Sequence, residues 1–317
     1  MYITLSLFLV GFYFLIKGAD WLVGGASSIA KRLKVSDLMI GLTIVSFGTS
    51  APELVVNLVA SFNGSGDLAV ANIIGSNISN ILLILGISAV IFPLAVKKGT
   101  TWKEIPFSLL AVIVLWFLAN DFLIDGQNVS ALSRIDGLIL LSFFVIFLYY
   151  TFGIAKVEGE GDDVRKYGVW TSIAMIIAGA LGLAFGGQWI VDGAIEIAKF
   201  FGMSESLIGL TIVAVGTSLP ELAASAMAAW RHNPDIAIGN IIGSNIFNVF
   251  WILGLSAAIK PIVFNLNLNT DIYIVISATA LLFLFMFVGK KNILQRWQGI
   301  VMLSLYLAYI VYLIIRG

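Results

Sequence analysis

Two glutamates, Glu53 and Glu221, stand inside runs of apolar residues, where a carboxylate is least welcome. Each belongs to the same phrase, "GTSAPEL" at residues 48–54 and "GTSLPEL" at residues 216–222. An ionised side chain at the middle of a membrane helix costs about 3 kcal/mol or more unless something compensates it. The preceding prolines, Pro52 and Pro220, lack the amide proton that would bond the carbonyl four residues back, and their rings push that turn open. Polar backbone groups freed at membrane depth need protein, water or an ion as partner. Thr49, Ser50 and Glu53, with their copies Thr217, Ser218 and Glu221, add hydroxyl and carboxylate oxygens within about one turn. Hard cations such as Ca²⁺ and Na⁺ take oxygen ligands of these kinds. A glutamate tied to a neighbour, or reaching out to the interface, is the blander role, and two matching copies speak against it.

A second phrase follows each of the first: "NIIGSNISNILLILG" at 72–86 and "NIIGSNIFNVFWILG" at 240–254. Gly75 and Gly243 permit close helix approach, while Ser76, Asn77 and Asn80, with Ser244, Asn245 and Asn248, bring hydroxyl and amide oxygens. On a regular helix Ser76 and Asn80 are i and i+4 and share a face, with Asn77 beside Asn80. Asn72, Asn77 and their copies read equally well as interhelical packing residues with hydrogen bonds. Antiparallel copies meeting at mid-membrane would bring Glu53, Glu221, Asn80 and Asn248 together. Two negative charges balance one divalent cation, and without a cation the pair repels. Such a site is filled by Ca²⁺, by monovalent cations or by protons, which is the physical basis of exchange.

The elements that must carry these residues are membrane helices. Hydrophobic residues make up 60% of the chain, charged residues 11%, and the mean hydropathy is +1.02. A soluble domain carries about 25% charged residues, so composition places the chain in the bilayer. The formal net charge is zero and no basic stripe points to nucleic acid. The absence of cysteine removes disulfides and thiolate metal sites. Residues 2–24 lack a basic leader and a cleavage site, and read as a retained first helix. Hydrophobic runs between polar breaks give ten spans, near 2–30, 36–62, 67–94, 104–121, 135–155, 168–200, 204–230, 234–259, 271–289 and 297–315.

The spans fall into two halves, 1–155 and 168–317, joined by a linker at 156–167. At a fixed offset of 168 residues, segments 41–86 and 209–254 match without a gap at 25 of 46 positions. The likeness reaches upstream, where "WLVGGASSIAK" (21–31) faces "WIVDGAIEIAK" (189–199). Five spans per half is an odd number, so the second copy enters the membrane from the opposite side. The expected fold is therefore an all-α polytopic membrane protein, ten transmembrane helices in two inverted-topology five-helix repeats. Lys31, Arg32, Lys34, Lys97, Lys98, Lys103, Lys156, Lys166, Arg165, Arg231, Lys290, Lys291 and Arg296 flank one side, against Arg134, Lys199, Lys260 and Arg316 on the other. The positive-inside bias puts the richer side and the 156–167 linker in the cytoplasm, and both termini outside the cell membrane.

Other polar residues carry less. Lys17 and Asp20 are expected to neutralise one another in the first helix, and Asn57 lies one turn beyond Glu53 with Ser225 as counterpart. His232, the only histidine, falls in a loop and reads as solvated. Trp102, Trp170 and Trp297 near span ends read as interface anchors. No phosphate loop, histidine metal cluster or catalytic triad is visible, so an enzyme is not expected.

The paired phrases "GTSAPEL…GSNISN" and "GTSLPEL…GSNIFN" resemble the alpha repeats of the sodium/calcium exchanger family, within the cation/Ca²⁺ antiporter superfamily. The resemblance covers nearly the whole chain and is to the prokaryotic type without a regulatory domain. It implies a central Ca²⁺ site made by Glu53 and Glu221, assisted by oxygens of Thr49 and Thr217. It also implies flanking Na⁺ sites drawing on Ser50, Ser76, Ser218 and Ser244 and on the carbonyls of Ser46 and Ala214. Asn80 and Asn248 fall at the remaining central position of each repeat. Potassium-dependent members have aspartate where this chain has Asn248, so the resemblance is to potassium-independent exchangers. The expected function is Na⁺/Ca²⁺ antiport by alternating access, with the first and sixth spans as the moving gate. The partners are the two ions and the lipid bilayer, with no cofactor and no nucleic acid, and the chain is expected to work as a monomer. A Ca²⁺/H⁺ antiporter is the nearest rival, and a cation channel a more distant one.

Overall fold

The structure, a computed structural model, describes residues 2–62, 66–124, 126, 128–153, 167–201 and 216–316. Eight helices among these are long and apolar enough to cross a bilayer. They are α1 (Ile3–Leu33), α4 (Leu68–Ile91), α5 (Lys98–Leu118), α6 (Arg134–Gly153), α7 (Val169–Phe200), α9 (Pro234–Ile259), α10 (Leu266–Phe285) and α11 (Arg296–Arg316). A ninth span is broken: α2 (Asp37–Thr49) and α3 (Ala51–Phe62) meet at 48°. The break falls at Ser50, two residues before Pro52, where proline and Gly48 weaken the helix ladder. Helix α8 (Leu219–Trp230) carries Pro220 in its first turn and is the described part of the span expected at 204–230. The rest of that span, Ala214 included, and the 156–166 part of the linker lie outside the described residues.

This is a multi-pass membrane protein, and its surface follows from that solvent. Tyr149, Phe152, Trp170, Phe185, Leu307 and Ile315 are all exposed, a pattern stable only against lipid. Trp102, Trp170 and Trp297 are exposed near helix ends, as interface anchors are. The most buried spans are α4 and α9, which carry the second phrase of each repeat. Wrapped around them is an outer layer in which α1 and α7 pair along their length through glycines. A Cβ on Gly18 would lie 2.8 Å from the carbonyl of Gly179, and one on Gly11 would lie 2.8 Å from that of Gly186. Gly11 and Gly179, and Gly18 and Gly186, are each 168 residues apart, so the two contacts are images of one another. Small residues let backbones approach where hydrocarbon supplies no hydrophobic drive.

Two features are absent from the sequence reading. Helical turns widen to the π form at Gly41–Val45, Ser79–Leu85 and Phe247–Leu253. The last two stretches are again 168 residues apart and hold Asn80 and Asn248, so those residues leave the regular i, i+4 spacing. Four two-residue strands also appear: β1 (Leu94–Ala95), β2 (Ala131–Leu132), β3 (Ile262–Val263) and β4 (Ile293–Leu294). β1 pairs antiparallel with β4, and β2 with β3, so each pair joins the first half to the second. The third expected span therefore stops at Ile91 rather than 94, where the chain turns into β1. The fourth starts earlier than expected, at Lys98, and the ninth runs from Leu266 to Phe285 rather than 271–289.

Two expectations about isolated polar residues change. Asp20 bonds Arg231 at the end of α8, so its charge is balanced between helices and not by Lys17 one turn away. His232 is exposed as expected, but its ring stacks on Phe92 at 4.4 Å.

Candidate cation site

Helix α4 crosses α9 at the centre of the molecule, and the bend between α2 and α3 closes on them from one side. Pro220 and the first turn of α8 close from the other. Glu53, in the first turn of α3, is buried. Neither of its carboxylate oxygens has a hydrogen-bond partner among the described residues. Glu221, in the first turn of α8, is equally buried and lies close enough to Glu53 for the two charges to repel. Its Oε1 accepts a hydrogen bond from Ser50 at 2.9 Å, while its Oε2 has no partner. The hydroxyls of Thr49 and Ser244 flank the same carboxylate.

Other expected site residues are buried with open oxygens on the same crossing helices. Asn80 and Asn248 are buried, and each leaves its Oδ1 without a partner. The hydroxyls of Ser76, Ser218 and Ser244 are buried and, among the described residues, unpartnered as well. An orphaned buried polar atom costs about 1–3 kcal/mol, so a cluster this size is costly unless a ligand satisfies it. All of its members can present oxygen to a cation. On the lipid side of the bend the lining is different in kind. There Phe47, Ala51, Phe247 and Trp251 line an apolar groove of about 810 Å³.

Not every expected ligand is placed as free. The Ser46 carbonyl already accepts the Ser50 amide at 2.9 Å and lies 3.3 Å from the Thr49 hydroxyl. The Ser46 hydroxyl sits between the carbonyls of Gly41 (2.7 Å) and Asn240 (2.9 Å), tying the widened turn of α2 to α9. Thr49 reaches Asn240 Oδ1 at 3.1 Å, and Thr217 reaches Asn72 Oδ1 at 3.4 Å. These two contacts are again images of one another across the repeat. Asn57 donates to the carbonyl of Glu53 at 2.9 Å, and Asn240 donates to Ser225 at 2.9 Å. Sequence reasoning left Asn72, Asn77, Asn240 and Asn245 open as packing residues, and their repetition was the signal for more.

A profile of the sodium/calcium exchanger protein family matches residues 3–153 and 171–315, nearly the whole chain. The chain belongs to the sodium/calcium exchanger family. Among its relatives, the sodium/calcium exchanger MaX1 of Methanosarcina acetivorans is 30% identical, with 98% of each chain covered. The inner membrane protein YrbG of Escherichia coli is 40% identical, covering 82% of this chain and 81% of its own. A solved structure of the sodium-calcium exchanger NCX_Mj superposes with a TM-score of 0.85 at 36% identity, over 98% of this chain and 99% of that one. The family likeness thus extends through every span that carries the site.

Proposed function

We propose that the chain is a secondary antiporter that exchanges Na⁺ for Ca²⁺ across the cell membrane by alternating access. The observation that carries this is the cluster of buried, unpartnered oxygens contributed by both repeats: Glu53, Glu221, Asn80 and Asn248, with the hydroxyls of Ser76, Ser218 and Ser244. The two carboxylates would hold Ca²⁺, with Thr49 and Thr217 beside them. Ser50, Ser76, Ser218, Ser244 and the carbonyls of Ser46 and Ala214 would serve Na⁺. The Ser46 carbonyl would have to share or give up its present helix bond to do so. Because the two sets of oxygens adjoin, with Ser50 bonded to the Glu221 carboxylate, filling with Na⁺ would disfavour Ca²⁺. The rearrangement of helices around the filled site then carries it to the other face. Asn248, an amide where a carboxylate would add a third charge, supports exchange that does not need K⁺. The name and full-length coverage of MaX1 favour Na⁺ over H⁺ as the driving ion. No chemical transformation is assigned to the chain, which needs no cofactor and is proposed to act as a monomer.

Parity supports ten spans in two inverted halves. Strands β1 and β4 pair, so an even number of crossings separates them. The crossings described in full between them are α5, α6, α7, α9 and α10, which is odd, and the span of α8 completes the count. The loop contacts follow the same two faces. Lys97 pairs with Asp235 at 2.5 Å, Arg32 donates to the carbonyl of Tyr167 at 2.8 Å, and Arg296 donates to that of Val90 at 3.1 Å. Each joins loops assigned to the cytoplasm, which leaves both termini outside.

The test is radioactive Ca²⁺ uptake into proteoliposomes loaded with Na⁺, beside K⁺-loaded and pH-gradient arms. Uptake should need internal Na⁺ and vanish in Glu53→Gln and Glu221→Gln. Uptake that follows the pH gradient and ignores Na⁺ would make the chain a Ca²⁺/H⁺ antiporter.

A further inference from the structure

An asparagine can serve a cation only if its oxygen faces the ion and its NH₂ group faces something else. At the crossing of α4 and α9 that second requirement is met by another pair of asparagines. Asn80 donates its Nδ2 to Oδ1 of Asn245 at 2.9 Å, and Asn248 donates its Nδ2 to Oδ1 of Asn77 at 2.9 Å. Asn77 is held in turn by its own Nδ2, which lies 3.4 Å from the carbonyl of Asn245. All four residues are buried, and Oδ1 of Asn80 and of Asn248 are left without partners. The two hydrogen bonds are images across the repeat offset of 168 residues, so the arrangement is built twice from the same parts.

Resting on the cation-site reading above, we propose that Asn77 and Asn245 are positioning residues that set the polarity of the site. By accepting the amide protons of Asn248 and Asn80, they force two oxygens and no N–H group toward the cation. Without an acceptor at 77 or 245, the partner amide is free to turn, and its NH₂ group would then oppose a positive charge. The quartet also discriminates between amide and carboxylate at the central positions. An aspartate at 248 would place oxygen against Oδ1 of Asn77, and Asn77 would have to turn its own amide to relieve it. The quartet as built matches an amide at both 80 and 248.

The experiment compares Asn77→Leu and Asn245→Leu, which remove the acceptor, with Asn77→Asp and Asn245→Asp, which keep it. In purified protein in detergent, two quantities are read: the ion-free melting temperature, and the midpoints of stabilisation by Na⁺ and by Ca²⁺. Loss of a residue that orients a ligand costs about 10–100-fold in ion affinity. Leucine should therefore raise the midpoints at least about tenfold, whereas aspartate should leave them near wild type or lower them. A purely packing role would lower the ion-free melting temperature and leave both midpoints unchanged, and that result overturns the proposal. If leucine prevents folding, Asn77→Ser and Asn245→Ser, too short to reach the partner amide, give the same reading. Glu53→Gln is measured alongside. If it too leaves the midpoints unchanged, the cation-site reading itself fails; if it abolishes the ion response while leucine at 77 and 245 does not, only this proposal fails.

Discussion

Glu221 receives a hydrogen bond from Ser50 at 2.9 Å, yet the mirror contact, from Ser218 to Glu53, is not made. The threonine, serine and proline that precede each glutamate are the same, and within the phrase only Ala51 and Leu219 differ. The same hydroxyl and carboxylate are therefore present on both sides, and what differs is where each is placed. On one side the packing is also tight: a Cβ on Gly243 would lie 2.8 Å from the carbonyl of Leu42. Two copies of one sequence segment thus make unlike contacts, which the proposed alternating access accounts for by a site open to only one face at a time.

The carboxylates give the strongest way to break that comparison. Breaking a buried charged constellation costs about 3–5 kcal/mol, so Glu53→Gln and Glu221→Gln should each reduce Na⁺-driven Ca²⁺ uptake by more than about a hundredfold. A variant that keeps more than a tenth of wild-type uptake would show that one copy alone carries the ion. Next comes the close approach at Gly243. Gly243→Ala should destabilise the protein by about 1–3 kcal/mol through overpacking against the Leu42 carbonyl. Thermal melting in detergent reads this, and an unchanged melting temperature would mean that the approach is looser in solution.

A finer test uses the serines. Removing Ser50 deletes a made hydrogen bond, so Ser50→Ala should lower ion-free stability by about 1 kcal/mol. Ser218→Ala deletes an unpartnered hydroxyl and should change ion-free stability by less than about 0.5 kcal/mol. Both should weaken Na⁺ stabilisation, since both hydroxyls are proposed ligands. The smallest effect concerns Asp20 and Arg231, which bond between α1 and α8 but are each about one-third exposed. Their counterparts by the repeat offset are Gln188 and Asn63, which cannot form the same ion pair. Solvent screening limits such a pair to under about 1 kcal/mol, so Asp20→Asn should move the melting temperature by only a few degrees.

What could be read from the sequence was what violates its surroundings. Glu53 and Glu221 are charges in hydrocarbon, Pro52 and Pro220 are helix breakers inside spans, and the repetition of both phrases removed coincidence. The bend at Ser50 followed from Pro52 by local chemistry alone. The orientation of Asn80 and Asn248 did not, because it is set by Asn245 and Asn77, each more than 160 residues away. Nor did the widened turns, since neither proline nor glycine interrupts 79–85 or 247–253. They lie where α4 and α9 pack together. The two-residue strands were too short for any alternating pattern, and the Asp20–Arg231 contact was hidden by the nearer Lys17.

Those strands bear on how the protein is made. β1 is finished early in synthesis but its partner β4 ends at Leu294, and β2 must wait for β3 at 262–263. Glu53 and Asn80 likewise enter the bilayer long before Glu221 and Asn245 exist. The first five spans thus spend much of translation as an unfinished half, with a carboxylate in hydrocarbon and nothing to share it. On the proposed inverted topology, biogenesis as well as transport would depend on the second copy arriving in the opposite orientation.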